Sequence, residues 1–293
     1  MQVAVIGAGR MGRGIAIASA LGEHRVCVVD IDDSQLRQAK EEIDRVLGEG
    51  VSRGIYPREK ADTVNDRIEL TESLPSAVEP AELLIEAIPE KLEVKRRTLA
   101  SAAALGADTM IIASNTSAIS IDAIAEAVRL PGRVLGMHFF NPAYKMPLVE
   151  IIRGSRSDPG AVKKALEFVA SIGKESIIIQ DQPGFASSRL GVTLGLEAIR
   201  MVESSVASVQ DIDTAMTLGY GHPVGPLELS DRVGLDVRLH IADTLASTLG
   251  SAFEPPDLLM EMVAAGHVGR ASGEGFYMWE EGEIIGPAVE VDV

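Results

Sequence analysis

The amino-acid sequence predicts an α/β protein in which a doubly wound sheet is followed by a smaller, all-α C-terminal domain. From residue 2 to about residue 179, short β-branched runs alternate with longer helical stretches, which is the pattern of parallel βαβ units with helices on both faces of a sheet. After Asp181-Gln182-Pro183-Gly184 the strand patterns stop and long helical patterns follow. We therefore predict two domains, residues 1–182 and residues 183–293.

Seven runs carry the strand pattern of the first domain. They are residues 3–6, 26–29, 83–87, 110–113, 134–139, 149–152 and 177–179. The stretches between them are helical in pattern, so the strands are expected to run parallel. In the second domain, residues 190–202 and 235–249 have the apolar spacing of long helices.

Composition and charge exclude several classes of protein. The chain of 293 residues is 46% hydrophobic, and its formal net charge of −16 opposes binding to nucleic acid or to anionic membranes. Its apolar runs are shorter than the roughly 18 to 20 residues that span a bilayer, and we expect no secretory signal. The single Cys27 cannot form an intrachain disulfide, which suits a reducing compartment. We expect a soluble, cytoplasmic protein with no nucleic-acid partner, no membrane partner and no metal site.

A glycine-rich turn follows the first predicted strand. In Gly7-Ala8-Gly9-Arg10-Met11-Gly12 the glycines let the backbone approach a pyrophosphate, and a helical stretch comes next. Asp30, about 20 residues later at the end of the second strand, is placed to bind an adenosine ribose. No arginine follows it within Ile31-Asp32-Asp33 to hold a 2′-phosphate, so NAD is preferred over NADP.

The turn therefore predicts a Rossmann-type NAD site. Its expected contacts are Gly7, Gly9, Met11, Gly12 and Asp30. The alternative makes the glycines ordinary turn residues and Asp30 a turn or cap residue.

Two polar residues interrupt apolar strand patterns. His138 lies in residues 134–140 and Glu150 lies in residues 148–152. A carboxylate between aliphatic residues is costly to bury unless it has a partner. If Glu150 accepts a hydrogen bond from one ring nitrogen of His138, the other nitrogen can take the proton of a substrate hydroxyl. The alternative is a core histidine with satisfied hydrogen bonds and an unrelated glutamate.

The turn Ser114-Asn115-Thr116-Ser117 follows the strand that ends at Ala113. Open α/β sheets bind ligands at the carboxyl ends of their strands, so these side chains could hold the nicotinamide ribose and the reacting oxygen. Ser, Thr and Asn are also the usual helix caps, so they could equally cap a helix that starts near Ile119.

Eight motifs stand in the order and spacing of one family and cover nearly the whole chain. They are residues 7–12, 86–95, 114–117, 138–142, 183–185, 211–213, 225–229 and 273–277. In these motifs the chain resembles the 3-hydroxyacyl-CoA dehydrogenase family, and within it most of all the bacterial 3-hydroxybutyryl-CoA dehydrogenases. The resemblance implies NAD as cofactor and an acyl-CoA thioester as substrate.

The resemblance also implies roles for individual residues. His138 is implied as the catalytic base, Glu150 as its partner, and Ser117 as a hydrogen-bonding group on the substrate oxygen. Four polar side chains are implied at the nicotinamide end of the NAD site: Glu90, Lys95, Asn115 and Asn141. Without the resemblance, the segment that contains Glu90 and Lys95 would be interpreted as the solvent-exposed start of a helix, rich in charged residues.

The helical segment after the second strand helps hold coenzyme A in this family. Arg45, Arg53, Arg58 and Lys60 could supply the cations, and Arg53 is the best single candidate, although each reads equally as a solvated surface charge. Two positions depart from the family pattern. Ser188 stands where many members have a catalytic-site asparagine, so we expect it to act through an ordered water, and Ala271 stands where many have a cofactor-contacting lysine.

We therefore expect NAD-dependent oxidation of L-3-hydroxyacyl-CoA thioesters of short or medium chain length to 3-ketoacyl-CoA, by a homodimer. Two other functions stay open at this point. One is a dehydrogenase of a free hydroxy acid such as a sugar acid, and the other is a non-enzymatic structural protein that binds NAD.

Overall fold

The structure, a computed structural model, describes residues 1–290. It divides into two compact units, Met1–Gln182 and Pro183–Val293. The first unit contains an eight-stranded sheet. Its strands are β1 (Gln2–Ile6), β2 (Arg25–Val29), β3 (Ile68–Thr71), β4 (Leu83–Glu86), β5 (Ile111–Ser114), β6 (Val134–Phe139), β7 (Leu148–Arg153) and β8 (Glu175–Gln180).

The order of the strands shows a doubly wound sheet, as the sequence predicts. Along the sheet they run β3-β2-β1-β4-β5-β6-β7-β8, and β1 pairs in parallel with β2 on one side and with β4 on the other. The chain thus winds outward from β1 to β3 and then crosses to β4. Ligands of such sheets bind over the carboxyl ends of the strands at this switch point. The ends of β2, β1, β4 and β5 are therefore where a nucleotide site belongs.

Seven α-helices connect the strands of the first unit. They are α1 (Arg10–Leu21), α2 (Asp33–Ser52), α3 (Arg58–Asp66), α4 (Leu74–Val78), α5 (Leu92–Leu105), α6 (Ile121–Ala125) and α7 (Pro159–Ser171). Local sequence explains where several of them begin. Asp32 caps α2 by accepting from the Ser34 N–H, and Asp158 caps α7, whose first residue is Pro159.

The second unit is mainly helical and adds one β-hairpin. Its elements are α8 (Ser187–Glu203), α9 (Val209–Tyr220), α10 (Pro226–Val233), α11 (Leu235–Leu249), α12 (Asp257–Ala264), β9 (Tyr277–Glu280) and β10 (Glu283–Pro287). In β9, Tyr277 and Trp279 are buried and the residues between and after them are exposed, which is the alternation of a half-buried strand. Glu281 and Gly282 both have positive φ, 49° and 86°, as two-residue hairpin turns require.

Two features of the sheet differ from the prediction. All seven predicted strands are present, but β7 runs antiparallel to β6, and the expectation that the strands all run parallel is wrong there. Only residues 140–147 join β6 to β7, too few for a crossover helix. The sequence pattern also missed β3, a four-residue edge strand with Glu69 exposed in its middle.

Two buried aspartates organise the second unit and account for three of the sequence motifs. Asp213 accepts hydrogen bonds from the Leu227 N–H at 2.8 Å and from Tyr277 Oη at 2.9 Å, so it holds the start of α10 and the hairpin together. Asp231 accepts from the Tyr277 N–H and from Trp279 Nε1, both at 2.9 Å. Burial raises the pKa of both carboxyls above the ordinary value of 3.8. Residues 211–213, 225–229 and 273–277 therefore support the fold of this unit.

Candidate active site

The glycine-rich turn joins β1 to α1, and two of its glycines are required by the turn itself. Gly7 has φ +104°, and a Cβ there would lie 2.6 Å from the Ala87 carbonyl oxygen. A Cβ on Gly12 would lie 1.7 Å from the Gly7 carbonyl oxygen. A Cβ on Gly9 meets no heavy atom within 4 Å in the described part of the chain. The turn thus leaves room above Gly9 for a ligand to approach the backbone.

The first N–H groups of α1 lie beside this room. Gly9 is the N-cap of α1, and Met11 is its second residue, with a half-buried side chain that packs against the core of the first unit. The predicted contact through Met11 is therefore its backbone N–H. A helix start of this kind favours a pyrophosphate, because unpaired N–H groups and the helix dipole both attract negative charge.

Asp30 directly follows β2 and is half-buried. Its Oδ2 accepts a hydrogen bond from the Ala8 N–H at 2.8 Å, and its Oδ1 accepts one from the Asp32 N–H at 3.1 Å. The carboxylate thus ties the glycine-rich turn to the end of β2 and is also a turn residue, as the alternative had it. The lone pairs left on its oxygens are those that ribose hydroxyls would use.

Glu86, the last residue of β4, is fully buried and connects three segments. Its Oε1 accepts hydrogen bonds from Lys95 Nζ at 2.7 Å and from the Ile88 N–H at 2.8 Å. Its Oε2 accepts one from Ser114 Oγ at 2.6 Å, at the end of β5. Glu86 was not among the predicted site residues. The signal that could have found it is a carboxylate ending an apolar strand, which must have a partner once buried.

Lys95 lies in the first turn of α5 and is only 1% exposed. Its Nζ is 3.2 Å from Glu90 Oε2 as well as 2.7 Å from Glu86 Oε1. Glu90 Oε1 in turn accepts hydrogen bonds from Thr116 Oγ1 and from the Ser117 N–H. Burial by itself would raise the pKa of Glu90, but Lys95 and these hydrogen bonds outweigh it and lower that pKa. The alternative of a solvated helix start is wrong for Lys95.

His138 and Glu150 face each other across the antiparallel pair β6 and β7. His138 Nδ1 is 2.7 Å from Glu150 Oε2, and the His138 ring nitrogen Nε2 is 3.3 Å from Ser117 Oγ. Glu150 is 0% exposed and His138 is 6% exposed. The two predicted strand residues are therefore partners, and the alternative of an unrelated glutamate is wrong. The arrangement suits a histidine that takes a proton on Nε2 while Glu150 orients the ring.

The turn after β5 carries its polar side chains inward and does not cap α6. The N-cap of α6 is Ser120, whose side chain accepts from the Ala123 N–H. Asn115 Oδ1 accepts from the Phe139 N–H at 2.8 Å, which joins the ends of β5 and β6. Ser114 bonds to Glu86 and Ser117 faces His138. The turn therefore does not cap α6, although Thr116 Oγ1 accepts a cap-type hydrogen bond from the Ile119 N–H at 2.8 Å.

The remaining predicted residues lie at the surface or in the second unit. Asn141 is exposed in the loop after β6, and Arg53 is exposed at the end of α2. Arg45 is already paired with Glu42 and Glu49. Arg58 and Lys60 are exposed in α3. In the second unit, Ser188 is half-buried in the first turn of α8 and Ala271 is exposed in a turn before β9.

Comparison with known proteins identifies the family. The model of the 3-hydroxyacyl-CoA dehydrogenase NAD-binding domain matches residues 2–182, and that of the 3-hydroxyacyl-CoA dehydrogenase C-terminal domain matches residues 184–279. The chain belongs to the 3-hydroxyacyl-CoA dehydrogenase family. The enzyme class, the NAD cofactor and the resemblance drawn from the sequence motifs are thereby confirmed.

Individual members of this family are similar over nearly the full length of the chain. A 3-hydroxybutyryl-CoA dehydrogenase of Bradyrhizobium diazoefficiens is 39% identical, with 94% of each chain covered. One of Mycobacterium tuberculosis is 38% identical over 95% of this chain and 98% of the relative. The crystal structure of (S)-3-hydroxybutyryl-CoA dehydrogenase from Ralstonia eutropha superposes with a TM-score of 0.91 at 33% identity, covering 95% and 99% of the two chains.

The residues of this 3-hydroxyacyl-CoA dehydrogenase fit an NAD molecule at the switch point. The glycine-rich turn leaves space over Gly9, and Asp30 closes the site at the end of β2. Within residues 1–290, no group of side chains could hold a metal ion and no helix is long and apolar enough to span a membrane.

Proposed function

We propose that this protein oxidises the 3-hydroxyl of L-3-hydroxyacyl-CoA thioesters of short or medium chain length, such as 3-hydroxybutyryl-CoA, to a ketone with NAD. One observation carries the proposal. The hydrogen-bonded series Ser117–His138–Glu150 lies at the end of the sheet where β5 and β6 terminate and β7 begins, in the NAD-binding unit of a 3-hydroxyacyl-CoA dehydrogenase. The relatives named above act on 3-hydroxybutyryl-CoA according to their names, which supports a short acyl chain here.

His138 acts as the general base of the reaction. Its Nε2 takes the proton of the substrate 3-hydroxyl, and Ser117 Oγ, 3.3 Å away, hydrogen-bonds the same substrate oxygen. NAD⁺, held by the glycine-rich turn and Asp30, would supply the acceptor for the hydride of the substrate C3. Glu150 holds Nδ1 of His138 and stabilises the imidazolium that forms, and burial of the pair strengthens this interaction. The reverse reduction uses the same groups.

Further residues have supporting roles in the proposal. Glu90, Lys95, Asn115 and Asn141 line the nicotinamide end of the NAD site. Arg53, an exposed cation at the end of α2, attracts a phosphate of coenzyme A, which an acidic protein otherwise repels. Ser188 supports the substrate through an ordered water, since its side chain is shorter than the asparagine common at this position.

We place the protein in the cytoplasm as a homodimer. The support for a dimer is apolar surface on the second unit, where Leu190, Leu218 and Tyr220 are 71%, 83% and 79% exposed. Large exposed apolar side chains are a feature of association surfaces.

The decisive experiment compares thioester and free acid as substrates. Formation of NADH or NADPH is measured with L-3-hydroxybutyryl-CoA, with its D enantiomer as matched control, and with free 3-hydroxybutyrate, each with NAD and with NADP. The proposal predicts turnover of the L-thioester with NAD and a clear loss with the other five combinations. Faster turnover of the free acid would establish a free hydroxy-acid dehydrogenase, and no turnover over a series of acyl chain lengths would favour a non-enzymatic protein.

A further inference from the structure

The strand order shows which part of the sheet faces the nicotinamide end of the cofactor. Asp30 marks the adenosine side at the end of β2, and the glycine-rich turn follows β1. The other half of a dinucleotide that crosses the switch point must lie over the next strands, β4 and β5. His138, the proposed base for the substrate whose C3 gives its hydride to the nicotinamide, lies on β6, one strand further. Glu86 and Ser114 end β4 and β5 and thus lie under the nicotinamide half.

Three charged side chains at this place, two carboxylates and one ammonium group, form a cluster. We call it the Glu86 cluster, and its members are Glu86, Glu90 and Lys95. Two carboxylates share the single ammonium of Lys95, at 2.7 Å and 3.2 Å. Glu86 accepts three hydrogen bonds, which is the pattern of an ionised carboxylate, and the pKa of Glu90 is lowered. The cluster therefore carries a net charge of −1. Because Glu86 and Lys95 are 0% and 1% exposed, solvent screens this charge weakly.

The nicotinamide ring is cationic in NAD⁺ and neutral in NADH, so a nearby negative charge binds the two forms unequally. Resting on the function proposed above, we propose that Glu86 is a selectivity residue, which keeps the Glu86 cluster at net −1 and so raises the affinity for NAD⁺ relative to NADH. Glu86 acts from beneath the site, through its charge and through the position that it imposes on Lys95.

A purely structural role for Glu86 is the alternative that the experiment must separate. Glu86 fixes the Ile88 N–H, and the Gly7 turn packs directly against Ala87 and Ile88. Loosening that segment would weaken binding of both cofactor forms equally, because they share the same pyrophosphate and adenosine. Loss of the charge alone would change the ratio of the two dissociation constants.

The test measures the Kd of NAD⁺ and of NADH for the full chain by calorimetry and by NADH fluorescence. Glu86→Gln keeps the side-chain volume and removes one charge from the cluster. We expect the ratio Kd(NAD⁺)/Kd(NADH) to rise at least about threefold. The matched control is Glu82→Gln, an exposed glutamate just before the other end of β4, which should leave the ratio unchanged. An unchanged ratio in a folded Glu86→Gln protein would overturn the proposal.

A second variant keeps the test decisive if Glu86→Gln does not fold. Glu90→Gln removes the same charge from the same cluster at a side chain that is 30% exposed, so the ratio should shift in the same direction. If Kd(NAD⁺)/Kd(NADH) were unchanged or lower in that variant, the proposal would be contradicted. Failure of the proposed function would show itself differently, as absence of thioester turnover in the unaltered protein, whatever the cofactor ratio.

Discussion

Buried carboxylates occur in both units of the protein, but they are stabilised in different ways. In the first unit, Glu86 lies against Lys95 and Glu150 lies against His138. In the second unit, Asp231 accepts hydrogen bonds from backbone N–H groups and from an indole, and no cation pairs with it among residues 1–290. The pKa of Asp231 is raised by burial, whereas that of Glu90, beside Lys95, is lowered.

The difference separates carboxylates for which we propose a role in the reaction or in cofactor selectivity from a carboxylate that stabilises the fold. Glu86 contacts the ammonium group of Lys95 at the end of β4, and Glu150 contacts the ring of His138, the proposed base. Asp231 holds only neutral donors that belong to the β-hairpin of the second unit. We therefore expect substitutions in the first group to change turnover or cofactor selectivity, and substitutions in the second group to change stability.

The largest effect is expected from Asp231→Ala. The substitution leaves the Phe276 N–H, the Tyr277 N–H and Trp279 Nε1 without their acceptor in a buried site. We expect the free energy of unfolding to fall by about 3 kcal/mol or more, since each unsatisfied buried donor costs roughly 1 to 3 kcal/mol. Urea unfolding followed by tryptophan fluorescence measures it. The exposed Asp243→Ala is the control, with a change within about 0.5 kcal/mol.

Glu150→Gln tests the other group. Glutamine keeps an oxygen that can accept from His138 Nδ1, but it does not stabilise the imidazolium. We expect kcat for L-3-hydroxybutyryl-CoA to fall about 10- to 100-fold, with little change in the free energy of unfolding. Glu175→Gln, at an exposed position on the neighbouring strand β8, should leave kcat unchanged. A Glu150→Gln protein that loses stability but keeps normal turnover would show that Glu150, like Asp231, stabilises the fold. The proposed difference between the two groups of carboxylates would then be wrong.

The pH dependence of stability should have opposite signs in the two groups. The folded-state pKa of Asp231 is raised, so the stability that it contributes is present at low pH and is lost as pH rises above 3.8 through the raised value. The folded-state pKa of Glu90 is lowered, so its contribution is present above 4.5 and is lost as pH falls below it.

The measurement is the difference in unfolding free energy between the unaltered protein and Asp231→Asn or Glu90→Gln, followed from about pH 3 to pH 7. With rising pH the difference should decrease for Asp231 and increase for Glu90. If the difference in unfolding free energy changed with pH in the same direction in both series, the effect of Lys95 on the pKa of Glu90 would be contradicted.

The smallest effect is expected at Ser188. If its hydroxyl acts through one ordered water, Ser188→Ala should cost about 0.5 to 1.5 kcal/mol in kcat/KM, the net value of a single neutral hydrogen bond, and Ser117→Ala should cost more. Steady-state kinetics with L-3-hydroxybutyryl-CoA provides the numbers. A loss as large as that of Glu150→Gln would make Ser188 a primary catalytic group, and no loss would restrict it to packing.

Local patterns were sufficient to predict the doubly wound sheet and the candidate base. Alternating strands and helices located seven strands, and the apolar neighbours of His138 and Glu150 indicated that both needed partners. The antiparallel register that joins the two depends on the short connection between β6 and β7, which carries no periodic signal. Glu86 was not predicted as a site residue because its partners, Lys95 and Ser114, come from other segments that only the folded chain brings together.

Other parts lacked a sufficient signal or had one that was overlooked. The strand β3 is too short and too exposed at the sheet edge for its alternation to stand out. The hairpin of the second unit could have been found, because Tyr277 and Trp279 alternate with exposed residues before the turn Glu281-Gly282.

The central claim is that His138 is the general base, and His138→Gln tests it most directly. Glutamine can fill the site and still bond to Glu150, but it cannot accept the hydroxyl proton. With L-3-hydroxybutyryl-CoA and NAD, we predict that kcat falls by about 10²-fold or more. The Kd of NADH, measured on the same protein, should stay nearly unchanged, because His138 is not among the residues that we propose to bind the cofactor. Near-normal turnover by a folded His138→Gln protein that binds NADH would contradict the account.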